Sequence, residues 1–110
     1  MNSSVPVFRS QFLAASQKIT SGPIAAMGNK LVLSATIINI ASATACNFYV
    51  DGSYDGGASW VDNIASSLAP TPFGVPTPAT KSTLDYPNVR VRVEAGVATL
   101  FDATLAFSEQ

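Results

Sequence analysis

"NVRVRVEAG", residues 88–96, decides the class of this chain. Val89, Val91 and Val93 alternate with Arg90, Arg92 and Glu94. A period of two places all three valines on one side of an extended strand, whereas a helix would scatter them around its axis. Downstream, "VATLFDATLAF" (97–107) sets Val97, Phe101, Ala103, Leu105 and Phe107 on one face and Asp102 and Thr104 on the other. Ala95 and Gly96 offer a tight turn between the two runs, so residues 88–107 read as a β-hairpin. Upstream, "ACNFYVDG" (45–52) turns Cys46, Phe48 and Val50 inward and Asn47, Tyr49 and Asp51 outward. "KLVLSATIINI" (30–40) carries Leu31, Leu33, Ala35 and Ile37 on one face. Its other face holds Val32, Ile38 and Ile40, so that side is expected to be partly covered as well. Further strands are expected near "VFRSQFLA" (7–14) and "QKIT" (17–20).

No segment of ten or more residues carries a helical period, and the polar helix formers Glu, Gln, Lys and Arg are few. The breakers "SGPIAAMGN" (21–29) and "ASATA" (41–45) separate the strands, the second being short enough for an antiparallel connection. A chain of 110 residues is one domain, 1–110, with a single core. About seven short strands joined by Gly- and Pro-containing turns predict an all-β fold, an antiparallel β-sandwich of jelly-roll type.

"APTPFGVPTPA" (69–79) holds Pro70, Pro72, Pro76 and Pro78, four of the seven prolines. Proline fixes φ and removes a donor, which excludes a central strand and predicts a stiff, extended loop. Phe73 gives that loop one large apolar side chain. The loop is either a rigid surface connection or an arm that docks on a neighbouring subunit, because an already extended segment loses little entropy on docking. Residues 1–15 read as a strand or as an N-terminal arm. Val7 and Phe8, just after Pro6, join Pro70, Pro72, Phe73, Pro76 and Pro78 as the candidate partner contacts.

Charged residues make up 12% of the chain, about half the usual share. A dispersed monomer normally carries more charge, so part of the exterior is expected to be covered by other subunits. No basic run offers a footprint for nucleic acid. No polybasic anchor and no apolar run of ~20 residues points to a membrane. The N-terminal stretch does not read as a signal peptide, which implies synthesis in the cytoplasm. Cys46 is alone, so no disulfide framework arises, and it reads as a small buried hydrophobe. The chain has no histidine, which removes Ser-His-Asp, Cys-His and Cys/His zinc chemistry. Asp51 and Asp55 are the residues a weak cation site would use, although the EF-hand spacing is missing. Asp51, Asp55, Asp62, Asp85 and Glu94 supply carboxylates, but no spacing selects a glycosidase pair. No cofactor and no enzymatic activity are expected.

"DGSYDGGASWVDN" (51–63) contains Ser53, Asp55, Gly57 and Trp60 in the order S-x-D-x-G-x-x-W. This resembles the Asp-box, a hairpin motif of sialidases and other sugar-handling propellers. Asp and Ser bond the turn backbone in such a motif, the glycines permit positive φ, and Trp packs across the base. None of these roles is catalytic, and with one box and no internal repeat there is no propeller. The motif therefore reads as a hairpin staple, with Tyr54 or Trp60 as the side chains that would stack on a sugar.

A broader likeness runs through "NFYVDGSYDGGASWVDN", a Pro-rich excursion, and "YPNVRVRVEAGVATLFDATLAF". It resembles small β-sandwich structural proteins of tailed bacteriophages, with Tyr86, Pro87, Val89, Arg90 and Val91 in the late strand signature. The resemblance implies a virion protein made in the host cytoplasm, most of all a capsid decoration (cement) protein. Such a protein oligomerises, as a trimer by that likeness, and bridges neighbouring major capsid subunits. The alternative is a carbohydrate-binding sandwich of a phage tail or cell surface, which calls for an exposed aromatic row drawn from Tyr49, Tyr54, Trp60 and Tyr86.

Overall fold

The computed structural model describes residues 3–40, 46–65, 77–81 and 83–108. These form eight strands and no helix: β1 (Ser3–Leu13), β2 (Lys18–Thr20), β3 (Ile24–Ala25), β4 (Lys30–Ile40), β5 (Cys46–Ser53), β6 (Thr77–Lys81), β7 (Asn88–Ala95) and β8 (Thr99–Ser108). A first sheet has the order β1-β8-β4-β6. In the second, β2 and β3 share one side of β7, and β5 lies along the other. Every pairing is antiparallel.

The pairs are nested. β1 lies on β8, the broken strand β2/β3 on β7, and β4 on β6, while β5 is met at Gly52 by the returning chain at Val61. A long hairpin rolled up on itself gives this order, the jelly roll. The break between β2 and β3 is bridged by Ser21. Its N–H donates to the Val91 carbonyl at 2.8 Å, and its Oγ accepts the Val91 N–H at 2.9 Å.

The inward faces match the alternation residue by residue. Leu31, Leu33, Ala35 and Ile37 meet Phe101, Ala103, Leu105 and Phe107 within the first sheet, over Cys46, Phe48, Val50, Val89, Val91 and Val93 of the second, and all are buried. Phe101 sits where the layers join, with Phe48 edge-on at 5.1 Å and Phe8 at 5.7 Å between ring centroids.

Four expectations need correction. Residues 88–107 are not a hairpin, because β7 and β8 belong to different sheets and each is flanked on both sides by other strands. Alternation states which side chains face the core but not which strand runs alongside, and the 96–98 link crosses between the layers. Val97 is half-buried outside the strand, and Thr99 takes the inward place, its hydroxyl donating to the Val97 carbonyl at 2.9 Å. Residues 3–13 are an edge strand rather than a free arm. Val7 and Phe8 pack against the core, with Phe8 on Phe101, so neither is free for a partner. Finally, Thr77–Lys81 is a strand, so the proline segment ends at 76 and Pro78 lies in β6. An edge strand tolerates proline because a donor aimed away from the sheet has no partner to lose. Pro70, Pro72, Phe73 and Pro76 lie outside the described residues.

The fold predicts a sharp contrast between two phenylalanines. Phe101→Ala empties the junction of the layers and should cost about 3–5 kcal/mol in urea unfolding. Phe12→Ala, at a side chain 58% exposed, should stay within about 0.5 kcal/mol of wild type.

Candidate functional site

The hairpin that follows β5 is built by two side chains. Ser53 Oγ donates to Asp55 Oδ1 at 2.7 Å and accepts the N–H of Asp55 at 3.3 Å and of Gly57 at 3.0 Å. Asp55 accepts the Ser59 N–H at 2.9 Å on Oδ1 and the Ser59 hydroxyl at 2.5 Å on Oδ2. These bonds from Ser59 and Ser53 hold the Asp55 carboxyl well below the usual range. Gly56 and Gly57 have φ of 73° and 102°, which side chains rarely adopt. A Cβ on Gly57 would also lie 2.9 Å from Pro23 Cγ and 3.3 Å from the Trp60 ring. The chain then returns to β5, with Gly52 N–H donating to Val61 O at 2.9 Å and Val61 N–H to Gly52 O at 2.7 Å.

The returning segment passes over the outer face of the second sheet and closes over Asp51, which is wholly buried although its position on β5 points outward. Its carboxylate is saturated. Arg90 Nε donates at 2.9 Å, Arg92 Nε at 3.1 Å, Arg92 Nη2 at 3.3 Å and the Asn63 N–H at 3.0 Å. Burial pushes this carboxyl up, but the bonds from Arg92, Asn63 and Arg90 outweigh it and hold the group below its ordinary value. Arg92 also donates from Nη1 to Glu94 at 2.8 Å, and Glu94 faces Lys18 at 3.8 Å. The two guanidiniums lie over rings, Arg90 on Trp60 at 4.4 Å and Arg92 on Tyr49 at 4.3 Å. Tyr49, Arg92, Asp51, Arg90 and Trp60 thus form one interlocked layer.

Ser53, Asp55, Gly57 and Trp60 are brought together as one turn, and Trp60 acts by covering Arg90 and Gly57. Neither Asp51 nor Asp55 has oxygens left for a cation, since all four are bonded within the protein. Among the described residues no group of three or more His, Cys, Asp or Glu is placed to hold a metal. The four rings considered for a glycan do not form an open row. Tyr49 and Trp60 are half-buried with a guanidinium on one face, and Tyr86 stacks with Tyr54 at 4.5 Å. Tyr86 also lies against Gly52, where any Cβ would strike its ring. Val7, Phe8 and Pro78 are on the other sheet. Burial pushes the Cys46 thiol up to about 11, which keeps it protonated and inert.

Sequence reasoning missed the Asp51–Arg90–Arg92 cluster. Its signal was the in-phase outward placement of Asp51, Arg90, Arg92 and Glu94, but pairing them requires the register Asp51↔Arg90, which joins β5 to a strand 39 residues away. Compared with known proteins, the chain matches no family model, no curated protein and no solved structure.

The cluster makes a signed prediction. Asp51→Asn should lower stability at pH 7 by about 2–4 kcal/mol, because two arginines lose their buried counter-charge. A carboxyl with a depressed folded pKa contributes stability above its unfolded value of about 4, and the contribution is lost as pH falls through the folded value. The gap between wild type and Asp51→Asn should therefore be full at pH 7 and shrink as pH falls below about 4. Urea unfolding at a series of pH values measures it.

Proposed function

We propose that this chain is a non-catalytic structural protein of a tailed-phage particle, a capsid decoration (cement) protein that self-associates and binds across neighbouring capsid subunits. The observation that carries the reading is an asymmetry of charge. Five of the six basic and seven acidic residues (Lys18, Asp51, Arg90, Arg92 and Glu94) lie in one internally paired layer on the second sheet. The outer face of the first sheet is left nearly without charge, which suits adhesion by burial. The jelly roll agrees with this, being an architecture that viral capsid and lectin domains share, although fold alone does not fix function. The reading gains support from the likeness of residues 47–63 and 86–107 to small virion proteins.

In this role the protein performs no chemistry. Repeated burial of interface around a shell raises the energy needed to pull neighbouring capsid subunits apart, with each contact of ordinary size removing ~1,600 Å² from water. Residues 70–76 supply a stiff segment for such contact. A second reading, glycan binding, rests on Tyr54, which is 65% exposed and stacked on Tyr86. A glycan array with wild type and Tyr54→Ala separates it.

The test of the main reading is co-sedimentation with capsid shells encoded by the same genome and lacking this protein. The chain should pellet with the shells at a saturating ratio and raise the temperature at which they open. Replacing residues 70–76 by a short Gly-Ser link keeps β6 intact and should leave the circular dichroism spectrum unchanged while reducing pelleting. A wild-type chain that stays in the supernatant contradicts the reading.

A further inference from the structure

The outer face of the first sheet is ordered in rows across its strands. Ser4, Ala106, Val32 and Thr80 form one row, and Pro6, Thr104, Ser34 and Pro78 the next. Asp102 and Thr36 follow, and Phe12 with Leu100 ends the series beside the bulge at Ile38. None of these side chains is fully buried among the described residues, and Phe12 and Ile38 are 58% and 38% exposed. Asp102 is the one charge within the rows, and its carboxylate already accepts the Ser10 N–H at 2.6 Å. Arg9 and Lys30 stand only at the rim, in the β1 bulge and at the start of β4.

Both edges of this sheet are closed to strand addition. Pro6 lies in β1 and Pro78 in β6, in the same row, and β1 carries two irregularities, between Pro6 and Phe8 and between Phe8 and Gln11. Proline and bulges on edge strands prevent edge-to-edge pairing. What the sheet leaves for contact is its face.

From this we infer that the face is the self-association surface, and that its occupant is the same face of a second copy, packed sheet on sheet about a two-fold axis. This rests on the reading of the chain as an assembling subunit, and it names the surface that does the assembling. Two physical points select a second copy. In a two-fold contact each charge near the axis meets its own like, so only a patch almost free of charge can pair with itself, whereas a different partner is ordinarily chosen by complementary charge. Area is the second point. Four strands about 4.8 Å apart and four rows about 6.8 Å apart cover roughly 500 Å² with their side-chain margins, so pairing removes roughly 1,000 Å², the lower bound for a specific interface. The geometry gives a pair rather than the three-fold ring implied by the likeness to cement proteins, because a ring needs two different contact patches and the second sheet's face is taken up by its charge layer.

The test is sedimentation equilibrium of the full chain over ~1 to ~500 μM, spanning the micromolar affinity that such an area supports. Wild type should pass from 11.4 kDa to twice that mass. Ala106→Lys and Phe12→Lys add a charge at opposite ends of the face, both at exposed positions that folding tolerates, and each should weaken pairing at least tenfold with an unchanged circular dichroism spectrum. Thr20→Lys, on the exposed second sheet, should pair like wild type. A wild-type mass that stays at one chain or reaches three, or lysine variants that pair normally, overturns the inference. If wild type pairs as described but never joins capsid shells, the functional reading fails and the pairing face stands.

Discussion

The ring of Phe101 meets Phe48 of the opposite sheet and Phe8 of its own edge strand, and the chain's topology makes that apolar layer indispensable. No strand in this fold pairs with its neighbour in sequence. β4 is in the first sheet and β5 in the second, β6 returns to the first, β7 to the second and β8 to the first. Local hairpins therefore contribute nothing to joining the layers, and only face-to-face burial between them does. Each sheet is assembled from strands far apart in the chain, the arrangement that makes loop-closure entropy large and folding slow relative to local topologies.

A second constraint is placed on top of the first. Asp51 is an outward residue of β5 made inaccessible by the segment that follows the Ser53–Asp55 turn. An isolated carboxylate there would be untenable, and two arginines and a backbone N–H make it stable. The turn and the ion cluster depend on each other. Ser53, Asp55 and the two glycines direct the chain back along β5, the return delivers the Asn63 N–H to Asp51, and Trp60 closes over Arg90. The S-x-D-x-G-x-x-W pattern is thus a device for folding a polar lid down, and its hydrogen bonds are consumed in doing so.

Much of this was readable before any coordinates. The inward sets of β4, β5, β7 and β8 follow from period-two alternation, because one face of each strand is fully dry. The turn was readable because Ser53 and Asp55 bond atoms within six residues of themselves. What failed was everything that depends on partner choice. Ala95-Gly96 looks like a hairpin turn locally, but a link between sheets has the same local chemistry. Pro78 argued against a strand, and its edge position removed the objection. Phe8 looked like an arm residue because nothing nearby in sequence reveals Phe101. Asp51 looked solvated because its lid and its arginines lie 12, 39 and 41 residues away.

The two outer faces divide the molecule's charge unequally, and this carries the functional account. Charges on the second sheet satisfy one another and leave that face polar and self-contained. The first sheet has an exterior of Ser, Thr, Ala, Val and Pro, with Phe12 and Leu100 at one end. The most direct measurement of that claim is the concentration dependence of amide ¹H–¹⁵N chemical shifts. Shifts should move at Val32, Ser34, Thr36, Leu100, Thr104 and Ala106 as protein is added, while Asn47, Tyr49, Arg90 and Arg92 stay fixed. Movement confined to the second sheet, or none on either face, would contradict the account.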